Sequence, residues 1–134
     1  MVENTNSRVV IDASTILSFI FPDEPTPKNV LLTIRKATKG KAILLAPTLL
    51  SYEVGNAIKS AVKQKRITEL TATSLIEVFQ QIKIIYFDPN IIGTISLSLK
   101  HNLSFYDASY LCLAEEQNAK LLTLDKKLQD INKN

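Results

Sequence analysis

Short apolar runs alternate along this chain with longer amphipathic stretches. The runs at residues 8–12, 42–46, 83–87 and 120–124 are too brief for helices and are typical of strands buried on both faces of a sheet. The stretches between them space their apolar residues as helices do, and the three prolines of residues 22–28 predict a loop. Strands separated by helices pair in parallel through crossover connections. The sequence therefore predicts an α/β fold with helices on both faces of a mostly parallel sheet.

The helical stretches are bounded by residues that commonly begin or end helices. Helices are predicted over residues 14–21, 29–39 and 106–118, after Pro47, from Thr68, from Asp88–Pro89, and in the charged tail. His101 and Asn102 are predicted to close the helix that starts at Asp88–Pro89, because a partly positive imidazole is favourable at a helix C-terminus. No repeat, low-complexity segment or linker interrupts the pattern, so residues 1–134 are expected to form a single domain.

Composition excludes several classes of protein. With 134 residues, 46% of them hydrophobic and only 3 Gly and 5 Pro, the chain is neither disordered nor collagen-like. One cysteine, Cys112, rules out an internal disulfide framework and is expected to be a buried small hydrophobe, and one histidine rules out a His-based metal cage. No apolar run reaches the length of a membrane helix, and residues 1–8 do not resemble a signal peptide. A soluble, cytoplasmic protein without a membrane partner is therefore expected.

Four acidic residues occupy positions of special interest. Asp12 ends the first strand, Asp125 follows the fourth, and Asp107 opens a helix. Ligands of parallel sheets bind outside the carboxyl ends of the strands. Each aspartate also has a structural interpretation as a helix cap, and Asp107 as the acid of a capping box begun by Ser104. Glu53 lies within a helix and has no basic residue three or four positions away, so it needs a partner from elsewhere in the chain.

Converging carboxylates repel one another unless a cation lies between them. Oxygen ligands without His or Cys suit a hard divalent ion, Mg²⁺ or Mn²⁺, which also binds substrate phosphates. Such a pocket can hydrolyse phosphodiesters, because the metal activates a water and stabilises the charge that develops. The charge of the chain agrees with an anionic substrate. Sixteen basic residues face thirteen acidic ones, and only nine acidic residues oppose them if four are committed to a metal.

Two groups of basic residues are candidates for following a phosphate backbone. They are Lys59, Lys63, Lys65 and Arg66 at the end of the helix that carries Glu53, and Arg35, Lys36, Lys39 and Lys41 around Gly40. Lys59, Lys63 and Arg66 are the predicted substrate-binding residues. The structural alternative, in which both groups are ordinary solvated helix ends, stays open.

Four segments of the chain resemble the motifs of one family. They are residues 9–14 (VVIDAS), 47–57 (PTLLSYEVGNA), 105–110 (FYDASY) and 122–128 (LTLDKKL), which are similar in order and spacing to the four motifs of the PIN-domain family. Each motif is weak alone, but the four together are a strong signal and span essentially the whole chain. The resemblance implies a three-layer α/β/α sandwich with a mostly parallel central sheet.

Among the small prokaryotic members of that family are the VapC-type toxins, and the resemblance implies their function. These toxins are Mg²⁺- or Mn²⁺-dependent endoribonucleases, usually homodimers, each neutralised by a cognate antitoxin protein. Residue by residue, the match implies that the metal-binding catalytic site consists of Asp12, Glu53, Asp107 and Asp125. Three further residues match positions that assist the site, namely Ser14, Asn56 and Thr123.

One residue departs from the family pattern. Many members carry a further acid two residues beyond the fourth aspartate, where this chain has Lys127, so that one metal ion and two are equally open. A non-catalytic PIN-fold scaffold or RNA-binding protein is the alternative function. A third is a phosphoryl-accepting receiver domain, in which Asp88 would have to be the acceptor.

Two questions about aromatic residues also stay open. Tyr106 and Tyr110 either stack on a base or pack in the core. Residues 19–21, which precede the proline loop, either form an exposed patch for a dimer or antitoxin helix, or are buried in their own subunit.

Overall fold

A computed structural model describes residues 7–132, which form four strands and seven helices. The strands are β1 (Ser7–Ile11), β2 (Ala42–Ala46), β3 (Ile84–Tyr86) and β4 (Lys120–Leu122). The helices are α1 (Ala13–Ile20), α2 (Lys28–Thr38), α3 (Leu49–Lys63), α4 (Glu69–Gln81), α5 (Ile91–His101), α6 (Phe105–Glu116) and α7 (Lys126–Asn132). Residues 1–6, where no signal peptide is expected, and residues 133–134 lie outside the described part.

All four strands pair in parallel, in the order β3-β2-β1-β4. The predicted α/β class is confirmed. The strand order reverses at β1, because β2 and β3 continue on one side of it whereas β4 lies on the other. Parallel sheets bind their ligands at such a switch point, outside the carboxyl ends of the strands. The first and fourth predicted strands therefore end at the place in this fold that is best suited to a ligand.

The two faces of the sheet are covered by different helices. Val9 and Ile11 of β1 lie in a buried apolar cluster with residues of α1, α3 and α4. Val10, which points to the opposite face, lies in a second cluster with residues of α6 and with Leu128 of α7. Alternate residues of one strand thus belong to two cores, as expected for a strand buried on both faces. The result is a three-layer arrangement of helices, sheet and helices.

Helix α5 begins later than predicted. It starts at Ile91, not at Asp88–Pro89, and the side chain of Asn90 caps it by accepting a hydrogen bond from the backbone N–H of Gly93 at 2.8 Å. Asp88 is engaged elsewhere, since its Oδ1 accepts from the backbone N–H of Thr48 at 2.9 Å. The prediction for the other end is confirmed, because α5 ends at His101 with a left-handed residue following it.

Burial answers several of the open sequence questions. Ile20 and Phe21 are 6% and 2% exposed, and Phe19 packs against the same core, so residues 19–21 are not an exposed patch. Cys112 is buried as predicted. Tyr110 is in the core, whereas Tyr106 is 60% exposed. Within the described residues, no helix is both long enough and apolar enough to cross a membrane.

Candidate active site

Asp12 stands at the carboxyl end of β1 and also begins α1. Asp12 was predicted to be the last residue of the first strand, but β1 ends at Ile11. Asp12 is instead the N-cap of α1, which was the structural alternative. Its Oδ1 accepts hydrogen bonds from the backbone N–H of Thr15 at 3.1 Å and from Ser14 Oγ at 2.6 Å. The residue is 6% exposed. The helix-cap and active-site interpretations of Asp12 are therefore compatible, because the cap holds a buried carboxylate at the switch point of the sheet.

Two hydroxyl groups connect Asp12 to the segment after β4. Thr123 Oγ1 donates to Asp12 Oδ2 and accepts from the backbone N–H of Asp125 at 3.0 Å. Ser14 Oγ accepts from the backbone N–H of Leu124 at 3.0 Å. Each carboxylate oxygen offers about two lone pairs. Among the described residues Asp12 Oδ2 accepts only from Thr123, so it keeps capacity for a cation.

Thr15 also belongs to this network, and sequence reasoning missed it. Its Oγ1 lies 3.1 Å from Asp12 Oδ1 and 2.9 Å from the carbonyl oxygen of Leu122, and the residue is fully buried. It thereby ties the start of α1 to the end of β4. The available signal was its position three residues after a helix cap, where the backbone N–H normally binds the cap side chain.

Glu53 receives the distant partner that its helix does not supply. Tyr110 of α6 donates its phenolic hydrogen to Glu53 Oε1 at 2.5 Å. Burial raises the pKa of the Glu53 carboxyl, and the charges of Asp107 and Asp12 raise it further, while the bond from Tyr110 acts in the opposite direction. Burial and the nearby Glu53 carboxylate raise the pKa of Tyr110 strongly, so the phenol stays a hydrogen-bond donor. The ring of Tyr110 is thus buried in the core, while its hydroxyl donates a hydrogen bond to Glu53.

Asp107 and Asp125 are both placed by helix capping. Ser104 caps α6 and accepts from the backbone N–H of Asp107 at 3.0 Å, which confirms this half of the predicted capping box. Asp125 is exposed, and its Oδ1 accepts from the backbone N–H of Leu128 at 3.0 Å at the start of α7. Burial raises the pKa of Asp107, and so do the charges of Asp125 and Asp12. Structural and functional interpretations of these residues are therefore compatible.

The four carboxylates share one electrostatic environment. Burial is the main cause of the raised pKa values of Glu53 and Asp107, and the charges of other acids in the set raise both further. Within residues 7–132, however, no three His, Cys, Asp or Glu side chains are grouped closely enough to hold a metal ion. The donor set, all oxygen and partly buried, fits Mg²⁺ or Mn²⁺ in type and in charge. The side chains as they stand do not surround a single point.

Lys127 lies beside this cluster, at the position where the family often has an acid. Its Nζ donates to the carbonyl oxygen of Asn102 at 2.6 Å, which joins α7 to the turn between α5 and α6. Its charge lowers the pKa of Asp107, although burial and the neighbouring acids outweigh it. A fixed ammonium group therefore occupies part of the surroundings of Asp107.

The predicted substrate-binding residues fall into two kinds. Lys59 and Lys63 are exposed along α3, and Asn56 is exposed nearer to Glu53. Arg66 is already paired: its guanidinium bonds both Asp23 oxygens, at 2.7 and 3.0 Å, and lies over the ring of Phe21. Two of the three guanidinium nitrogens of Arg66 are thus bonded to the proline loop, which leaves fewer of its donors available to a phosphate than those of Lys59 and Lys63.

An apolar groove of about 390 Å³ is lined in part by sequence neighbours of two of the carboxylates. Its wall includes Tyr52 and Tyr106, which directly precede Glu53 and Asp107 in the sequence. Tyr52 is 77% exposed. Sequence reasoning identified Tyr106 but not Tyr52 as an aromatic side chain beside the site. The sequence signal for Tyr52 was an aromatic residue directly before a motif carboxylate.

Comparison with known proteins identifies the family. The family model described as PIN domain matches residues 9–134. Ribonuclease VapC3 of Pyrobaculum aerophilum is 29% identical over 127 residues, which cover 92% of this chain and 93% of that protein. Ribonuclease VapC1 of Mycobacterium tuberculosis is 30% identical over 121 residues, which cover 89% of this chain and 86% of that protein.

Solved structures agree with this assignment. The crystal structure of PAE2754 from Pyrobaculum aerophilum superposes with a TM-score of 0.71 at 25% identity, covering 93% of this chain and 86% of that one. VapC20 of Mycobacterium tuberculosis, described as a toxin that cleaves the sarcin-ricin loop, superposes with a TM-score of 0.62 over 92% of this chain and 94% of that one. At 9% identity it supports the fold alone. The receiver-domain alternative is thereby excluded. This chain belongs to the PIN-domain family, among the VapC ribonucleases.

Proposed function

We propose that this protein is a Mg²⁺- or Mn²⁺-dependent endoribonuclease that hydrolyses RNA phosphodiester bonds as the toxin of a type II toxin–antitoxin pair. The observation that carries the proposal is the electrostatic coupling of four carboxylates around the carboxyl end of β1. Burial and repulsion by the other acids raise the pKa values of two of them, Glu53 and Asp107. A divalent cation would relieve that repulsion. The family and its ribonuclease members support the choice of RNA.

In this proposal Asp12 and Asp107 are the principal metal ligands, and Glu53 and Asp125 complete the site directly or through waters. A bound divalent ion supplies an activated water and stabilises negative charge at the phosphate. The chain contributes orientation, because Ser14 and Thr123 fix the Asp12 carboxylate through hydrogen bonds to Oδ1 and Oδ2.

We propose that a single ion is bound. The ammonium group of Lys127 is held by its bond to the Asn102 carbonyl, and its positive charge acts on the Asp107 carboxylate. A second divalent ion beside Asp107 would be repelled by this charge. A Mn²⁺ titration that fits two equivalent sites per chain would contradict the single-ion form.

The substrate side of the proposal uses residues next to the carboxylates. Tyr52 and Tyr106 are exposed aromatic side chains on which unpaired bases can stack. In this proposal Asn56, which is exposed one helical turn beyond Glu53, contacts substrate or orients that side chain. Lys59 and Lys63 extend the path along α3, where their exposed ammonium groups can follow the RNA backbone.

The decisive test is cleavage of a labelled RNA pool that includes ribosomal, transfer and messenger RNA. Wild-type protein should cut in Mn²⁺ and not in EDTA, and Asp12→Asn should remove cutting in Mn²⁺. Asp23→Asn is the matched control, because it also neutralises one aspartate but lies in the Arg66 cluster. Equal cutting by wild type and Asp12→Asn would overturn the proposal, as would a wild type that cuts none of these RNAs.

One observation favours the second candidate, a non-catalytic PIN-fold scaffold or RNA-binding protein. The carboxylates of the described residues do not converge on one point as they stand. A scaffold should bind RNA equally well in Mn²⁺ and in EDTA, without cleaving it, and its melting temperature should not depend on Mn²⁺. Cleavage that requires Mn²⁺ would exclude it.

We further propose that residues 1–134 act as one cytoplasmic domain, that the protein forms a homodimer, and that a cognate antitoxin protein inhibits it. The apolar side chains of α5 are the candidate dimer surface, since Ile92 and Leu99 are 80% and 78% exposed and Ile91 and Ile95 lie beside them. Exposed patches of this kind commonly mark protein interfaces. Light scattering should report a dimer that Ile92→Glu converts to a monomer, whereas Leu70→Glu on α4 should leave it intact. A monomeric wild type would contradict the dimer.

A further inference from the structure

Tyr110 is the one side chain that connects α6 directly to Glu53 by a hydrogen bond. The donor and acceptor are 57 residues apart in sequence and 2.5 Å apart in space. Tyr110 is 1% exposed, so its hydroxyl needs a partner inside the protein, and Glu53 Oε1 is the acceptor that the described residues supply.

The rest of Tyr110 is rigidly held. Its ring lies in the apolar cluster that packs against Val10 and Leu121 of the sheet. It is three residues beyond Asp107 on α6, and positions three apart lie on the same side of a helix. A side chain fixed by the core thus lies on the side of α6 that carries a candidate metal ligand, and it reaches a second candidate ligand on α3.

Apart from Tyr110, few contacts hold the side chain of Glu53 in one conformation. It is half-buried, its helix provides no ion-pair partner, and its Oε2 has no hydrogen-bond partner among residues 7–132. A free glutamate samples many rotamers, and ordering them on metal binding costs affinity. The phenol of Tyr110 removes much of that freedom in advance by occupying Oε1 and leaving Oε2 unpaired.

We infer that Tyr110 is a positioning residue for metal binding, whose hydroxyl holds Glu53 through Oε1 and thereby presets Oε2 as a ligand. This inference rests on the proposed metal-dependent function. Residues that orient metal ligands by hydrogen bonds typically change metal affinity by 10- to 100-fold when their hydrogen bond is removed. The same range is expected for the hydroxyl of Tyr110.

The test is a Mn²⁺ titration of the full chain. Binding is measured by calorimetry and by the electron paramagnetic resonance signal of free Mn²⁺. Tyr110→Phe removes one oxygen and keeps the buried ring, and it should raise the Kd for Mn²⁺ by about 10- to 100-fold. Tyr86→Phe is the matched control, since it also removes one phenolic oxygen, but Tyr86 lies on β3 and its hydroxyl accepts from Ser51 Oγ at 3.5 Å. Its Kd should stay within about twofold of the wild-type value.

A double-mutant cycle separates positioning from a general structural effect. If Tyr110 acts through Glu53, adding Tyr110→Phe to Glu53→Ala should change the Kd by less than about twofold. A Tyr110→Phe Kd equal to the wild-type value would overturn the inference, and so would an equal loss in both backgrounds. If wild-type protein binds no Mn²⁺, the proposed function fails and the inference fails with it. Wild-type binding with an unaffected Tyr110→Phe variant contradicts the inference alone.

Discussion

Two clusters of carboxylates among residues 7–132 differ in how far their charges are compensated. Beside the proline loop, Asp23 and Glu24 pair with Arg66 at 2.7 and 2.9 Å, and the hydrogen bond from Arg66 lowers the pKa of Asp23. At the switch point of the sheet, burial and repulsion raise the pKa of Glu53 and Asp107. The fold supplies a strong cation of its own where the acids are structural. Where they form the candidate active site, their charges stay under-compensated.

The largest expected difference between the clusters is in activity. Asp107→Asn should lower the rate of RNA cleavage by about a thousandfold, because metal-based charge stabilisation contributes several kcal/mol to the reaction. Asp23→Asn should stay within about threefold of wild type, since it lies outside the catalytic machinery. Single-turnover cleavage of one RNA substrate measures both. Similar losses in the two variants would abolish the distinction between the clusters.

The second-largest expected difference between the clusters is in how far metal binding stabilises the fold. Mn²⁺ at about 100 times its Kd should stabilise the wild type by about 2.7 kcal/mol, or roughly 8 °C in melting temperature for a domain of this size. Asp107→Asn should lose most of this shift, and Arg66→Ala should keep it. Differential scanning fluorimetry with Mn²⁺ or EDTA provides the measurement. A shift that survives Asp107→Asn would place the ion elsewhere.

In EDTA the two clusters should respond to pH with opposite signs. The folded-state pKa of Asp107 is raised above its ordinary value of 3.8, so its contribution to stability is present below that value and is lost as the pH rises. The folded-state pKa of Asp23 is lowered, so its contribution is present at neutral pH and is lost as the pH falls. At pH 7 Asp107→Asn should therefore raise the melting temperature by a few degrees, and Asp23→Asn should lower it.

Both differences should vanish in acid, where the two aspartates are protonated in the wild type as well. Melting curves of the three proteins from pH 7 down to about pH 2 measure the effect, since the lowered pKa of Asp23 lies below 3.8. A loss of stability for Asp107→Asn at pH 7 would show that the carboxylate is stabilising as an anion, against the comparison drawn here between the two clusters.

The smallest effect is expected for Arg66→Ala. Exposed ion pairs contribute little, so its melting temperature should fall by only about 2 °C, with a smaller difference at high salt. RNA binding should stay within about twofold, because the guanidinium is committed to Asp23 and Glu24. Lys59→Ala is the comparison, and it should weaken binding and reduce its salt dependence. A larger binding loss for Arg66→Ala would support the prediction that Arg66 contacts a phosphate.

Local patterns explain which parts of the fold could be predicted. Strand β2 was predicted over its observed range, and α4 begins directly after its predicted cap, Thr68, because hydrophobic periodicity and capping depend on neighbouring residues. The start of α5 was predicted wrongly. The carboxylate of Asp88, which was expected to open that helix, binds Thr48, 40 residues earlier in the chain. No local pattern distinguishes these two uses of an aspartate.

The candidate site also has some features that local sequence patterns predict and others that they do not. The sequence alone determined the order of strands and helices and the four acidic positions, since motifs and periodicity are properties of short segments. Only the tertiary structure decided that Tyr110 is the partner of Glu53 and that Arg66 pairs with Asp23, across separations of 57 and 43 residues. Which distant side chains meet depends on how helices pack on the sheet, and the sequence carries that information only through the whole fold.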